Sequence, residues 1–223
     1  MNILAIMLFC IAGLIIGYKI PEISIKIIEY KKGKTNINYY ETVNHIPNFI
    51  KYLLCVFNAA AWALGSIYIE NTLMALLISI QISLGIIIAS IDIKIRIIPN
   101  ELVLTMFVVG IIFQTFNYGL QGIAGSIVCM IFIMIVFTAV AGFMGFGKVG
   151  AGDVKLAGAI GFSLGYPLVV VAMLTMAVAL LIYILIGLAL KKIKLTTMLP
   201  LAPFLSVGYI FSLMTLIMGV NFY

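Results

Sequence analysis

Apolar residues run along this chain in blocks long enough to cross a bilayer, separated by short polar segments. Windows of about 20 apolar residues fall at 2–18, 50–69, 72–91, 101–117, 120–143, 154–165, 167–190 and 198–219. Helix is the element they predict, because an open sheet edge in hydrocarbon leaves backbone donors and acceptors unpaired. The expected fold class is all-α, a polytopic membrane helix bundle of about eight transmembrane segments. The block at 154–165 is short. It reads as a half-span, a tilted helix, or a segment packed inside the bundle, where lipid thickness matters less.

Composition agrees with the pattern. Of 223 residues, 65% are hydrophobic and 9% charged, against about 25% charged in a soluble domain. Cys10, Cys55 and Cys129 lie inside apolar blocks with no CxxC pair. They read as small buried hydrophobes, with no metal site and no disulfide framework.

Charge sets the topology. All 13 Lys and Arg fall in four segments, 19–51, 92–100, 144–155 and 190–195. With the spans above, those segments share one side, and the opposite connections hold Glu70 as their one charge. The positive-inside rule makes the basic side cytoplasmic and places both termini outside a cytoplasmic (inner) membrane. The formal net charge of +6 is then explained by topology and anionic lipid head groups. Membrane lipids are expected partners, and nucleic acid is not. Lysines follow the first span and none precedes it, the reverse of a cleavable signal peptide. The chain divides into 1–49, a first span with a short basic cytoplasmic loop, and 50–223, a membrane-embedded core. Ile-rich residues near 20–32 suit an amphipathic interfacial helix.

The acidic residues sort by environment. Glu22, Glu29, Glu41 and Glu70 lie in polar loops, where solvated charges are ordinary. Glu101 opens the fourth block, a favourable place for an anion at a helix N-terminus. Asp92 and Asp153 differ. Asp92 ends the run SLGIIIASID and leads into IKIRIIPN; Asp153 follows GKVGAG and leads into VKLAGAIG. Both are expected at the membrane boundary on one side, where ionisable groups are costly and commonly functional. The competing reading is a local ion pair, Asp92 with Lys94 or Arg96 and Asp153 with Lys148 or Lys155. Gly150 and Gly152 weigh against it, because backbone without Cβ atoms permits unusual dihedrals and close approach of another segment.

Two carboxylates held a few ångströms apart share one proton. The ionised one can take a proton from water as the water attacks a peptide carbonyl, and the protonated one can donate to the carbonyl oxygen. Asp92 at a helix C-terminus would hold the proton, and Asp153 at a helix N-terminus would be the ionised base. No metal is needed, and the sequence has one His (His45), no HExxH and no Ser/His/Asp set.

These stretches carry a family resemblance. The chain resembles the type IV prepilin peptidases, the leader peptidases of the GxGD membrane aspartic peptidases. It is most similar to a bacterial type lacking the zinc-binding tetracysteine loop. In IDIKIRIIPN, Asp92 precedes Pro99 and Asn100; GAGDVKL matches GxGD followed by x-K-L (Gly150, Gly152, Asp153, Lys155); MLPLAPFLSVG is similar to the Pro-x-x-Pro-Phe-Leu signature (Pro200, Pro203, Phe204, Leu205). GLIIG in the first span is a faint further match. The resemblance implies Asp92 and Asp153 as catalytic residues, with Pro99, Asn100, Gly150, Gly152, Lys155, Pro200 and Pro203 shaping the site. It implies removal of a short basic leader from type IV prepilins, or from type II secretion or competence pseudopilins. Bacterial relatives also N-methylate the product with S-adenosylmethionine, a cofactor expected here only where methylation is retained. With no cysteine in the short loop, zinc is not expected. The alternatives are a proton-coupled membrane transporter, which places its acids near the midplane, and another GxGD intramembrane protease. Presenilin-like members of that second group carry Tyr before the first Asp, where this chain has Ile91.

Overall fold

The computed structural model describes residues 3–34, 47–144, 150–191 and 199–219. Helix accounts for every regular element among them: α1 (Ile3–Lys34), α2 (Asn48–Tyr68), α3 (Thr72–Ile95), α4 (Asn100–Met144), α5 (Ala151–Leu164), α6 (Leu168–Ala189) and α7 (Ala202–Ile217). Of these, α1 to α4 and α6 are long and apolar enough to cross a membrane, and α7 is a shorter apolar helix. The chain is thus a multi-pass, all-helical bundle.

The expected fourth and fifth spans are the two arms of α4. Gly119, at φ 64° and ψ −154°, breaks the helix there, and glycine reaches that backbone region without a Cβ penalty. Both arms lie along α5. In the first arm Phe107 stacks on Phe162 with ring centroids 4.5 Å apart, and Gln114 donates to the Ser163 carbonyl at 2.9 Å. In the second arm the Cys129 carbonyl faces Gly161 and Met134 faces Gly158. The contacts climb α5 along one arm and descend it along the other, so α4 is a helical hairpin clasping α5. Residues Leu156 to Leu164 are all buried, which resolves the short sixth block. At about 1.5 Å per residue, α5 is too short for a hydrocarbon core of about 30 Å, and its burial comes from packing within the bundle.

At the centre stands α3, buried along most of its length and packed against α1, α2, α4 and α7. The first helix departs from expectation. Rather than ending near residue 18, α1 continues through Pro21 to Lys34. Ile20, Ser24 and Ile28, spaced one turn apart on one face, are fully buried. The apolar face that suggested an interfacial helix is instead spent on the bundle. Gly13 and Gly17 bring α1 onto α2, with a Cβ at either position lying within 3.0 Å of α2 atoms. Such small-residue contacts are the usual means of helix association in lipid. A buried polar chain adds to the contact: Asn58 donates to the Gly13 carbonyl at 2.9 Å, Trp62 Nε1 to Ser83 Oγ at 3.0 Å, and Ser83 Oγ to Asn58 Oδ1 at 2.8 Å. Each such bond contributes about 0.6 kcal/mol in a membrane interior.

Candidate active site

The site begins where α3 ends. Arg96 adopts the left-handed conformation (φ 52°, ψ 38°), and its N–H bonds the Asp92 carbonyl at 2.8 Å, closing the helix. The chain turns through Ile97 and Ile98 to Pro99, whose carbonyl accepts from Leu102 and Val103 and so opens α4. Asn100 is the first residue of that helix. Asp92, on the last turn of α3, is 4% exposed. Its Oδ2 accepts the Ala202 N–H at 3.3 Å.

That contact explains the third motif. Ala202 is the first residue of α7, with Pro203 next. A proline there loses no helical bond, because the first N–H groups of a helix have no internal acceptor. Pro200 and Pro203 therefore bracket a helix start whose free N–H points at Asp92. Leu205 is buried in the core, and Phe204 packs edge-on against Tyr183 of α6 at 5.3 Å. The sequence reading missed the Ala202 N–H. Its signal was the Leu201-Ala202-Pro203 pattern of a helix N-terminus.

Asp153 stands on the first turn of α5 and is half-buried. Its Oδ2 accepts the Gly150 N–H at 2.9 Å, one half of a capping box. Gly150 has ordinary extended backbone (φ −74°, ψ 149°), so unusual dihedrals are not the reason for glycine here. Close approach is, at Gly152, where a Cβ would stand 3.3 Å from Ile98 Cβ. The first turn of α5 thus rests on the α3–α4 turn. Lys155 Nζ donates to Asn100 Oδ1 at 3.4 Å across the same junction.

These contacts gather Asp92, Asp153 and the Ala202 N–H at one end of the bundle. The Lys31–Glu101 pair, at 2.7 Å, ties the end of α1 to the same place, so Glu101 is more than a helix-terminal charge. The local ion pairs considered for the aspartates are not seen among the described residues. Lys155 is engaged with Asn100, and buried Lys94 Nζ has no hydrogen-bond partner. Lys148 lies outside the described residues, as do most of the polar loop after α1 and the segment before Pro200.

Electrostatics revises the helix-end argument. Asp92 lies within electrostatic reach of Asp153 and of Arg96. It sits at the C-terminal end of α3 but also against the N-terminal end of α7, whose dipoles act in opposite senses. Burial pushes the Asp153 carboxyl above the usual aspartate range, and the Gly150 N–H works against that rise. Helix position alone therefore does not assign the proton to one acid. Beside the junction, a groove of about 400 Å³ runs between the arms of α4 and α5, from Asn100 and Lys155 down past Leu104 and Phe107 to Met130 and Met134. No group of three or more His, Cys, Asp or Glu side chains able to hold a metal occurs among the described residues.

No curated protein and no solved structure matches the chain. A family model does, that of the type IV leader peptidase family, over residues 79–190. The match covers half of the 223 residues and takes in both aspartates, the Pro99-Asn100 turn and the GAGDVKL start of α5. The chain belongs to the type IV leader peptidase family.

Proposed function

We propose that this membrane protease is an aspartic endopeptidase whose catalytic pair is Asp92 and Asp153. The observation that carries the reading is their convergence: one acid from the end of α3 and one from the start of α5, at one end of the bundle. In the proposed cycle the pair holds one proton. The ionised carboxylate takes a proton from water, and the resulting hydroxide adds to the scissile carbonyl carbon. The protonated carboxyl gives its proton to the carbonyl oxygen. As the diol collapses and the C–N bond breaks, one diol hydroxyl returns its proton to the carboxylate that had protonated the carbonyl oxygen, and the proton first taken from water goes to the leaving amine. Both acids return to their starting states. The Ala202 N–H holds Asp92 in orientation, and Gly152 against Ile98 sets the approach of Asp153.

The substrate proposed is a type IV prepilin or pseudopilin, with its basic leader on the cytoplasmic side and its apolar helix in the bilayer. The basic segments, cytoplasmic by the positive-inside rule, support a cytoplasmic position for the acids, on the side where such a leader remains. The α4–α5 groove begins at Asn100 and Lys155 and is mostly apolar, which suits an apolar substrate helix. Acids at the bundle end, together with the family, favour this reading over proton-coupled transport. Incubation of the purified protein in lipid with a prepilin should give a leader-sized shift in mobility. An unchanged prepilin under conditions where the protein remains folded would contradict the assignment.

A further inference from the structure

Deep in the bundle, away from the aspartates, three side chains from three helices meet in one hydrogen-bonded node. The Tyr209 hydroxyl (α7) donates to Gln81 Oε1 (α3) at 2.7 Å. Ser163 Oγ (α5) bonds the same Oε1 at 3.0 Å and lies 2.9 Å from the Tyr209 oxygen. Gln114, in the first arm of α4, donates to the Ser163 carbonyl at 2.9 Å. Gln81, Ser163 and Tyr209 are 0% exposed. The three helices that meet here are the three that end in Asp92, Asp153 and the Ala202 N–H.

Register connects the two levels. From Gln81 to Asp92 along α3 is about eleven residues, roughly 16 Å of helical rise. The same count back along antiparallel α5 from Ser163 reaches Gly152, beside Asp153. Between α3 and α7, Gly85 faces Tyr209, and an equal count along each helix pairs Asp92 with Ala202. Apolar contacts are non-directional and would tolerate a slip of these helices. A slip of one residue, about 1.5 Å, would break bonds of 2.7–3.0 Å and leave buried polar groups unpaired in an apolar interior, which is costly.

We propose that Gln81, Ser163 and Tyr209 are positioning residues, locking α3, α5 and α7 in the register that sets Asp92, Asp153 and the Ala202 N–H against one another. The inference rests on the dyad reading above. The node itself touches no substrate, so its loss acts on the geometry of the acids, where a misplacement of about 1 Å can cost up to about a hundredfold in rate.

The test compares Tyr209→Phe and Ser163→Ala with a control, Ser212→Ala. Ser212 Oγ donates to the Leu168 carbonyl at 2.7 Å, a buried bond joining α7 to α6 and not to the helices of the acids. Each full-length variant is assayed in lipid for kcat and KM on a prepilin and for thermal unfolding, beside Asp92→Asn and Asp153→Asn. The expected result is kcat lowered about tenfold in both node variants with KM unchanged. The control should keep wild-type kcat after a comparable loss of thermal stability. Wild-type kcat in both node variants would overturn the proposal, as would an equal loss of kcat in the control. If the Asp→Asn variants are inactive while the node variants match wild type, the node fails and the dyad stands. Active Asp→Asn variants would instead sink the dyad.

Discussion

Asp92 and Asp153 were legible as residues, because carboxylates bordering apolar runs stand out in any chain with so few charges. Their partners were not. The Ala202 N–H reaches Asp92 across 110 positions of sequence, and no local pattern encodes which helix end will face which acid. That omission matters, since the start of α7 offsets the end of α3 at Asp92 and removes the simple assignment of roles from helix ends. A consequence for Asp153 can be measured. The proposed reaction needs an ionised carboxylate, and burial raises Asp153 above the usual range, where an ordinary aspartate titrates near about 3.9. As pH falls, Asp153 takes up its proton earlier than an ordinary aspartate would. The acid limb of the kcat–pH profile is therefore expected above that ordinary value, with activity lost below it. A limb at or below it would contradict the proposed environment.

Between elements, contact surfaces decide what residue types can only suggest. The GxGD glycines pointed to close approach, and Gly152 against Ile98 is that approach, whereas Gly150 has conventional backbone. Alanine at 152 would force Ile98 to give by a few tenths of an ångström, and valine would demand more. Glycine-to-alanine changes in helices favour the helix by up to about 1 kcal/mol. Gly152→Ala is therefore expected to unfold no more easily than wild type yet to cleave about tenfold more slowly, with Gly152→Val slower still. Thermal unfolding beside steady-state cleavage checks both halves. Cleavage at the wild-type rate in the valine variant would show that this contact does not set the site. At the same scale, periodicity missed the continuation of α1 through Pro21. A proline and a run of lysines read as a helix boundary, while the buried face of Ile20, Ser24 and Ile28 is supplied by helices distant in sequence.

For the whole molecule, hydropathy alone was enough to give helix for every regular element among the described residues, and most span positions, since lipid permits little else. It could not tell that the short block at 154–165 would be encased by an α4 hairpin, because burial inside protein and burial in lipid leave the same apolar signature. The orientation expected from the basic segments is open to labelling. Lys191→Cys is expected to react with an impermeant thiol reagent only after permeabilisation, and exposed Tyr166→Cys, in the turn at the opposite end, in intact cells. The reverse pattern would invert the topology. The central claim remains that two carboxylates, one at the end of α3 and one at the start of α5, act as a single catalytic pair. The most direct measurement is the rate of prepilin cleavage by wild type, Asp92→Asn and Asp153→Asn in the same lipid. Each substitution alone is expected to lower the rate by about 10²–10⁴-fold with the protein still folded; near wild-type cleavage by either variant would contradict the paired role.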